Sequence, residues 1–300
     1  MTTAQSLLDV CHFPAAGAVV DLAVSGGPDS LGLLLLAREV GLVVRVHHVD
    51  HHARPTSTND ARYVIQLCEA LEVPVVVHDV LVAPGANFES RARAARRAAM
   101  PGGALTGHTM DDLAETVLLN MMRGAGVDGL SPMVNDPTKP LRDVRREALH
   151  EYVAASGWHA VHDETNDLPS FRRNRVRHEL MPVLCDVAGR DVVPILARQA
   201  ALIFDERAWL DELGREDRAV TVADADCRVL RAWNTARLRR WLRWQLRRND
   251  DDGDHPPSAA EVARALAVVR GEIVATELEG GRRLARRGQH LTLEEGSPLR

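Results

Sequence analysis

A chain of 300 residues is long enough for one large domain and a smaller one, and an apolar fraction of 45% is ordinary for a globular core. The formal net charge of −5 excludes a global positive field, so nucleic acid could be bound only through local basic patches. Four widely separated cysteines without a C-x-x-C pair exclude a zinc knuckle, an iron–sulfur site and a thiol relay, and they fit a reducing compartment. Because the chain shows neither a signal-peptide pattern nor an apolar run near the roughly 20 residues of a membrane span, we expect a cytoplasmic protein without membrane contact.

The first part of the chain alternates short apolar strands with helices. The pattern predicts a helix at 4–10, strands at 19–24, 42–49, 73–77 and 104–106, and helices after residue 30 and at 59–71, 89–100 and 111–122. Because the strands are apolar on both faces, we expect an α/β fold with a parallel sheet covered by helices on both faces. Ligands of such sheets bind beyond the carboxyl ends of the strands. This predicts a site formed by residues 25–30, 47–52, the loop before Phe88 and 107–112.

The second part of the chain has fewer strands. Residues 123–143 are rich in glycine and proline and predict a surface loop rather than core. Further on, the pattern predicts helices at 145–156, 192–216, 230–248 and 258–269, a polar loop at 249–257, and strands at 273–278 and 290–293. We therefore expect a catalytic domain at 1–190 and a smaller, mainly helical domain with a short β end at 191–300.

A glycine turn lies between the first strand and the helix that follows it, with the sequence Ser25-Gly26-Gly27-Pro28-Asp29-Ser30. Two successive glycines allow a sharp turn and a close approach of backbone N–H groups to a ligand. The helix that follows directs its positive dipole end at the turn, which suits a phosphate or pyrophosphate. Asp29 could hold a metal ion bound to such phosphates. The structural alternative is an ordinary turn in which Asp29 or Ser30 caps the helix.

A second group of polar residues follows the predicted fourth strand. Asp112 and Glu115 are three residues apart, hence on one face of the predicted helix, and His108 precedes them by one turn. This carboxylate pair could hold magnesium or a cationic amine, and His108 could contact phosphate. The alternative is that Asp111 and Asp112 are acids at a helix N-terminus, where the dipole favours them.

Arginines are concentrated at two further places. The 89–100 helix places Arg93 or Arg96 within expected reach of the site, and the four arginines between Arg172 and Arg177 predict phosphate recognition. In the predicted 230–248 helix, arginines alternate with tryptophans. Most of these tryptophans are expected in the core, while the arginine side could follow an RNA backbone.

Several blocks resemble one family. SGGPDS resembles the signature of the PP-loop ATP pyrophosphatases, which cleave ATP between its α and β phosphates. HHVDHHAR, NFESRARAARRA, GHTMDDLAETVLLNMMRGAG, KPLRDVRR and DETND followed by FRRNRVRHELMPVL are similar to successive blocks of the tRNA(Ile)-lysidine synthetases. His52 and Arg97 stand where that family usually has glycine and tyrosine. The resemblance covers about residues 18–190 and identifies the chain as a short member.

The resemblance implies the fold of the adenine nucleotide alpha hydrolases and a ligase reaction in two steps. ATP would adenylate the wobble cytidine of a tRNA(Ile) with a CAU anticodon, and L-lysine would then displace AMP to form lysidine. By position, Ser25, Gly26, Gly27, Pro28, Asp29 and Ser30 would bind ATP, and Asp29 would bind Mg²⁺. His108, Asp112 and Glu115 would line the reacting centre, and Arg93 and Arg173 would contact the substrate. The 191–300 domain would contact the tRNA, and a homodimer is common in the family.

Two rival functions remain open at this point. The first is another PP-loop enzyme that adenylates a different tRNA or a small molecule. The second is a regulatory protein of similar fold that senses ATP without turnover, although such a sensor would not require the Asp112 and Glu115 pair. Sulfur-inserting relatives generally need paired cysteines, which this sequence lacks.

Overall fold

The structure, a computed structural model, describes residues 2–50, 57–80, 95, 98–161, 172–250 and 253–295. The chain forms two compact units, Met1–Asp205 and Glu206–Arg300. The division lies within the long helix Val193–Leu213, fifteen residues beyond the expected boundary after residue 190. Within the described residues, no helix is both long enough and apolar enough to cross a membrane.

The first unit contains a parallel sheet. Strands β1 (Val19–Ala23), β2 (Val43–Asp50) and β3 (Val75–Asp79) pair in that order, all parallel. On the free edge of β1, Leu105 forms a parallel bridge with Leu22, and its backbone bonds with Asp21 and Ala23 at 2.8 and 2.9 Å. The predicted fourth strand is therefore in place but is reduced to a single bridge.

Helices surround this sheet, which confirms the predicted fold class. Among the described residues of the first unit they are α1 (Ala4–Leu8), α2 (Pro28–Glu39), α3 (Ser57–Ala70), α4 (Met110–Met122), α5 (Arg146–Ala155), α6 (Arg172–Arg175), α7 (Met181–Ala188) and the start of α8 (Val193–Leu213). A π-helical segment, Val176–Leu180, joins α6 to α7. Most of the helix predicted at 89–100 lies outside the described residues.

The core of the first unit is centred on α2. Every residue of this helix from Ser30 to Ala37 is buried, because the helix packs against both the sheet and α5. At Gly32 the two helices meet so closely that a Cβ would lie 2.5 Å from Cδ1 of Leu149. Packing rather than backbone conformation therefore favours glycine there, since the backbone of Gly32 is ordinary helix.

Residues 123–143 form turns, as the sequence predicts, but their placement as a surface loop is wrong. Ser131, Leu141 and Arg142 are buried, and Leu141 belongs to the main core. Arg142 stays buried because its guanidinium donates to the carbonyl oxygens of Asp136 and Lys139. Glycine and proline content indicated irregular backbone correctly, but it carries no information about depth.

The second unit contains α9 (Arg215–Ala219), α10 (Cys227–Ala232), α11 (Thr235–Gln245), α12 (Ala259–Arg270), the hairpin β4–β5 (Arg248–Asp250, Gly253–His255) and the antiparallel sheet β6 (Ala275–Glu277), β7 (Arg283–Arg287) and β8 (His290–Glu294). The single helix predicted at 230–248 is wrong: it is interrupted at Trp233, and Asn234 caps α11 by accepting from Arg237 N at 2.8 Å. The loop predicted at 249–257 contains the hairpin. The sequence pattern did not predict β7, because three of its five residues are arginines and only Leu284 and Ala285 are buried.

Candidate active site

The glycine turn forms a closed loop of hydrogen bonds at the start of α2. Gly27 is the N-cap and Pro28 follows in the first turn, so the alternative in which Asp29 or Ser30 caps the helix is wrong. Ser30 Oγ donates to Gly27 O at 2.9 Å and accepts from Ser25 N at 3.2 Å. The hydroxyl of Ser30 therefore fixes the turn from inside, while the helix directs its dipole at the loop.

Two glycines allow this loop to pack tightly. Gly26 has a φ of +91°, a conformation that side-chain-bearing residues rarely adopt. Gly107, which follows the Leu105 bridge, lies against the loop: a Cβ on it would be 2.6 Å from Asp29 O and 3.0 Å from Ser30 N. The predicted meeting of residues 25–30 with residues 107–112 is confirmed. Residues 51–52 and the loop before Phe88 lie outside the described residues.

Asp29 is held by two side chains of α5. Its Oδ1 lies 2.7 Å from His150 Nε2, and its Oδ2 lies 3.7 Å from Arg146 Nε. Residues four apart share one face of a helix, which is why Arg146 and His150 reach the same carboxylate. The Asp29 side chain keeps a third of its surface exposed, so a ligand can approach it.

Asp112 has two functions, one for each carboxylate oxygen. Its Oδ2 accepts from Thr109 N at 2.9 Å and from Thr109 Oγ1 at 3.0 Å, which forms the capping box of α4. Its Oδ1 accepts from Arg146 Nη2 at 2.9 Å and from Arg173 Nη2 at 3.3 Å. The helix-capping alternative and the functional hypothesis are therefore compatible for this residue.

Glu115 is almost fully buried, with 1% of its surface exposed, and three arginines surround it. Arg146 Nη1 and Arg177 Nε donate to Oε1 at 2.9 and 2.7 Å. Arg173 Nε and Arg177 Nη2 donate to Oε2 at 2.9 and 3.2 Å. Hydrogen bonds between charged groups are stronger than those between neutral groups, and here they offset the cost of removing the Glu115 carboxylate from water.

The arginines also set the ionisation of Asp112. Burial alone would raise the pKa of Asp112, but the charges of Arg146 and Arg173 outweigh burial, and its pKa falls below the usual value for aspartate. For Arg146, burial would lower the pKa, but the carboxylates of Asp112, Glu115 and Asp29 outweigh it and raise the pKa. Asp112 and Arg146 are therefore both charged at neutral pH.

Asp111 has a different role from its neighbour. Its Oδ2 accepts from the backbone N–H of Arg146 at 2.8 Å, and both of its oxygens contact the Arg145 guanidinium at 3.2 Å. Asp111 thus fixes the N-terminus of α5, the helix that carries Arg146 and His150.

Three further residues were predicted to belong to the site. His108 lies before α4 rather than on it, with Nδ1 2.7 Å from Thr106 Oγ1. Arg173 lies on the carboxylate pair, and Arg93 lies outside the described residues. Sequence reasoning missed Arg146 and His150, and it assigned Arg177, with the other 172–177 arginines, to phosphate rather than to Glu115. The KPLRDVRR block was the available signal for Arg146, but spacing does not connect it to Asp29.

The sequence of this chain is similar to those of known proteins. The PP-loop domain family matches residues 2–184. The tRNA(Ile)-lysidine synthase of Thermobifida fusca is 38% identical over 231 residues, which cover 70% of this chain and 71% of that protein. The chain belongs to the tRNA(Ile)-lysidine synthase family. The predicted family is therefore confirmed, and with it the PP-loop domain of an ATP-using enzyme.

Members of the family differ in length. This chain spans 59% of the tRNA(Ile)-lysidine synthase of Azoarcus sp., at 35% identity, and 48% of that of Deinococcus radiodurans, also at 35% identity. Among solved structures, the U34-tRNA thiolase NcsA from Methanococcus maripaludis has a TM-score of 0.51 at 17% identity, with 67% of this chain and 77% of that chain covered. That likeness concerns the fold alone.

The resemblance implies a magnesium ion at Asp29, and the side chains present there can be compared with the ligands that Mg²⁺ requires. Mg²⁺ is bound in nucleotide enzymes by one or two carboxylates together with substrate phosphates. Within the described residues, no group of three acidic, histidine or cysteine side chains could hold a metal by itself. The single, partly exposed carboxylate of Asp29 therefore fits a metal ion that arrives with the phosphates.

Proposed function

We propose that this protein joins L-lysine to the wobble cytidine of a tRNA(Ile) with a CAU anticodon, at the expense of ATP. In the first step, the 2-oxo oxygen of the base attacks the α-phosphate, the bond to the β-phosphate breaks and pyrophosphate leaves. In the second step, the ε-amine of lysine attacks C2, AMP leaves and the amine nitrogen releases a proton. The product is lysidine.

One observation carries the proposal: Arg146 contacts the PP-loop acid Asp29 and the buried pair Asp112 and Glu115. A loop suited to phosphates and a carboxylate pair suited to an amine are thus neighbours in one site. A nucleotide sensor would need only the loop. An enzyme that adenylates a base and then adds an amine needs both.

The roles of individual residues follow from their positions. Residues Ser25 to Ser30 hold the triphosphate through the loop backbone and the hydroxyls, and Asp29 holds Mg²⁺. When bound, Mg²⁺ neutralises the charge that develops on the pyrophosphate. Asp112 and Glu115 orient the lysine ammonium, while His108 and Arg173, together with Arg93, contact the base or its adenylate.

The remaining parts of the proposal concern partners. The region after residue 190 contacts the tRNA; in its support, α11 keeps the side chains of Arg239 and Trp244 exposed. We propose a cytoplasmic location, because tRNA is the proposed substrate. A homodimer stays a prediction.

The decisive experiment measures the incorporation of labelled lysine into purified tRNA(Ile) with a CAU anticodon, in the presence of ATP and Mg²⁺. The methionine tRNA with the same anticodon and an Asp112→Ala variant are the negative controls, and Asp9→Ala, at an exposed position, is the matched control. We expect ATP-dependent incorporation by the wild type and Asp9→Ala alone. Pyrophosphate release without incorporation would assign the site to another adenylating enzyme, and neither signal from an ATP-binding protein would favour the sensor.

A further inference from the structure

We infer that Arg146, Arg173 and Arg177 close the carboxylate pair to amines until ATP binds, and that Arg177 sets this order of binding. We call the three side chains the arginine gate. The inference rests on the proposed function, because it concerns how the lysine of that reaction reaches Asp112 and Glu115.

The gate occupies the hydrogen-bonding capacity of both carboxylates. A carboxylate offers about four lone-pair sites. Glu115 accepts four guanidinium contacts, one each from Arg146 and Arg173 and two from Arg177. Asp112 accepts two hydrogen bonds from the gate, from Arg146 and Arg173, and two from Thr109. In this state an ammonium group finds no open acceptor on either residue.

The charges of the site lead to the same conclusion. Three carboxylates, those of Asp29, Asp112 and Glu115, face the three guanidinium groups of the gate. Their charges cancel, so an added ammonium would lose its hydration without gaining a net attraction. Asp112 and Glu115 each carry a negative charge, but together with Asp29 and the three guanidinium groups they form a site with no net charge.

A triphosphate is the ligand that can open this gate. Arg146 Nε is buried and, within the described structure, lacks a hydrogen-bond partner, although it lies 3.7 Å from Oδ2 of Asp29 on the PP-loop. Guanidinium groups bind phosphate oxygens well and often through two bonds. A triphosphate on the loop therefore brings negative charge beside a donor that still needs a partner, and it competes with the carboxylates for Arg146.

Arg177 is the member of the gate that can be changed with the least effect elsewhere. It contacts Glu115 through Nε and Nη2 and Asp112 through Nη2 at 3.5 Å, and its side chain is 26% exposed. It extends from the π-helical segment, whereas Arg146 is the member of the gate that pairs with Asp29 of the PP-loop. Its removal frees acceptors on Glu115 and leaves an excess of negative charge for an ammonium.

The test is the binding of labelled L-lysine, by equilibrium dialysis, with and without Mg²⁺ and an ATP analogue that has a methylene group between the α and β phosphates. For the wild type we expect the analogue to tighten lysine binding by about 5- to 150-fold, the usual range of coupling between two sites. Arg177→Gln is expected to bind lysine without the analogue as tightly as the wild type does with it. Arg175→Gln, in which the neighbouring exposed arginine that pairs with Glu179 is changed, is expected to behave as the wild type.

Further measurements keep the outcome clear. Arg177→Lys retains the charge and is expected to retain the dependence on the analogue, and circular dichroism checks that each variant is folded. Because coupling is reciprocal, lysine must tighten analogue binding by the same factor in the wild type. Equal lysine affinity with and without the analogue, or no lysine binding in either condition, overturns the gate even if Arg177→Gln fails to fold. The incorporation assay of the wild type decides separately whether the proposed function stands.

Discussion

Gly107 lies directly against Asp29, so that a Cβ at position 107 would be 2.6 Å from the Asp29 carbonyl oxygen. Neither residue needs the other for its secondary structure. The contact instead fixes the distance between the PP-loop and the segment that leads into the carboxylate pair.

Gly107→Ala is therefore expected to displace the first turn of α2. The clash is with backbone, which cannot rotate away, so we expect a loss of about 1–3 kcal/mol in the free energy of unfolding and weaker binding of ATP analogues. Urea unfolding and analogue titration measure the two effects. Gly102→Ala is the matched control, since a Cβ at that position has nothing within 4 Å. Equal behaviour of the two variants would contradict the packing argument.

Gly32 and Leu149 provide a test of the core between α2 and α5. Gly32→Ala places a methyl group 2.5 Å from Leu149 Cδ1, and we expect it to lower the free energy of unfolding by about 1–3 kcal/mol despite the better helix propensity of alanine. Leu149→Ala alone leaves a cavity and costs about 2–5 kcal/mol. In the double variant the costs should be less than additive, because the new methyl group partly fills that cavity. Additive costs would mean that the two residues do not share this space.

The lowered pKa of Asp112 predicts how stability depends on pH. A carboxyl group whose pKa is lower in the folded protein stabilises it above the unfolded pKa, and that stability is lost as the pH falls through the folded value. At neutral pH, Asp112→Asn is expected to cost about 3–5 kcal/mol, since it removes the charge that pairs with Arg146 and Arg173. Below about pH 4 the difference from the wild type should shrink. Urea unfolding over this range, with the exposed Asp9→Asn as control, measures it; a constant difference would refute this assignment.

Asp29→Asn tests the proposed chemistry. The variant keeps an oxygen for His150 but loses the charge that would hold Mg²⁺ beside the phosphates. A loss of about 3 kcal/mol of electrostatic stabilisation corresponds to ~100-fold in the rate of pyrophosphate release. A rate within a factor of about two of the wild type would remove Asp29 from the reaction.

Sequence patterns predicted the parts of this site that are local in the chain. The glycine turn and the shared face of Asp112 and Glu115 follow from motifs a few residues long. Arg146 and Arg177 reach Glu115 across 31 and 62 residues, and their segments show only an excess of arginine. Spacing therefore predicted phosphate contacts for the 172–177 arginines, whereas the fold pairs Arg173 and Arg177 with carboxylates.

The second unit offers an independent prediction. Buried Glu261 accepts from Ser258 N and Oγ at 2.8 Å and from Glu279 N at 2.7 Å, which ties the start of α12 to the turn before β7. Glu261→Ala is expected to cost about 2 kcal/mol, because a cap and a charge-assisted bond are both lost. Glu272→Ala, on the exposed side, is the control in thermal unfolding. Similar melting temperatures for the two variants would contradict the role of Glu261 in linking α12 to the turn before β7.

The π-helical segment Val176–Leu180 also bears on how the length of this protein can change. A π-helical turn holds one residue more than an α-helical turn, so deletion of one residue there would leave a continuous α-helix. Because the wide turn absorbs the extra residue, Met181 and the helix beyond it would keep the side that faces the apolar cluster. A deletion inside a regular helix such as α4 would instead rotate the residues beyond it by about 100° around the axis. Sequence variants with one residue fewer in the 176–180 segment are thus expected to keep the fold.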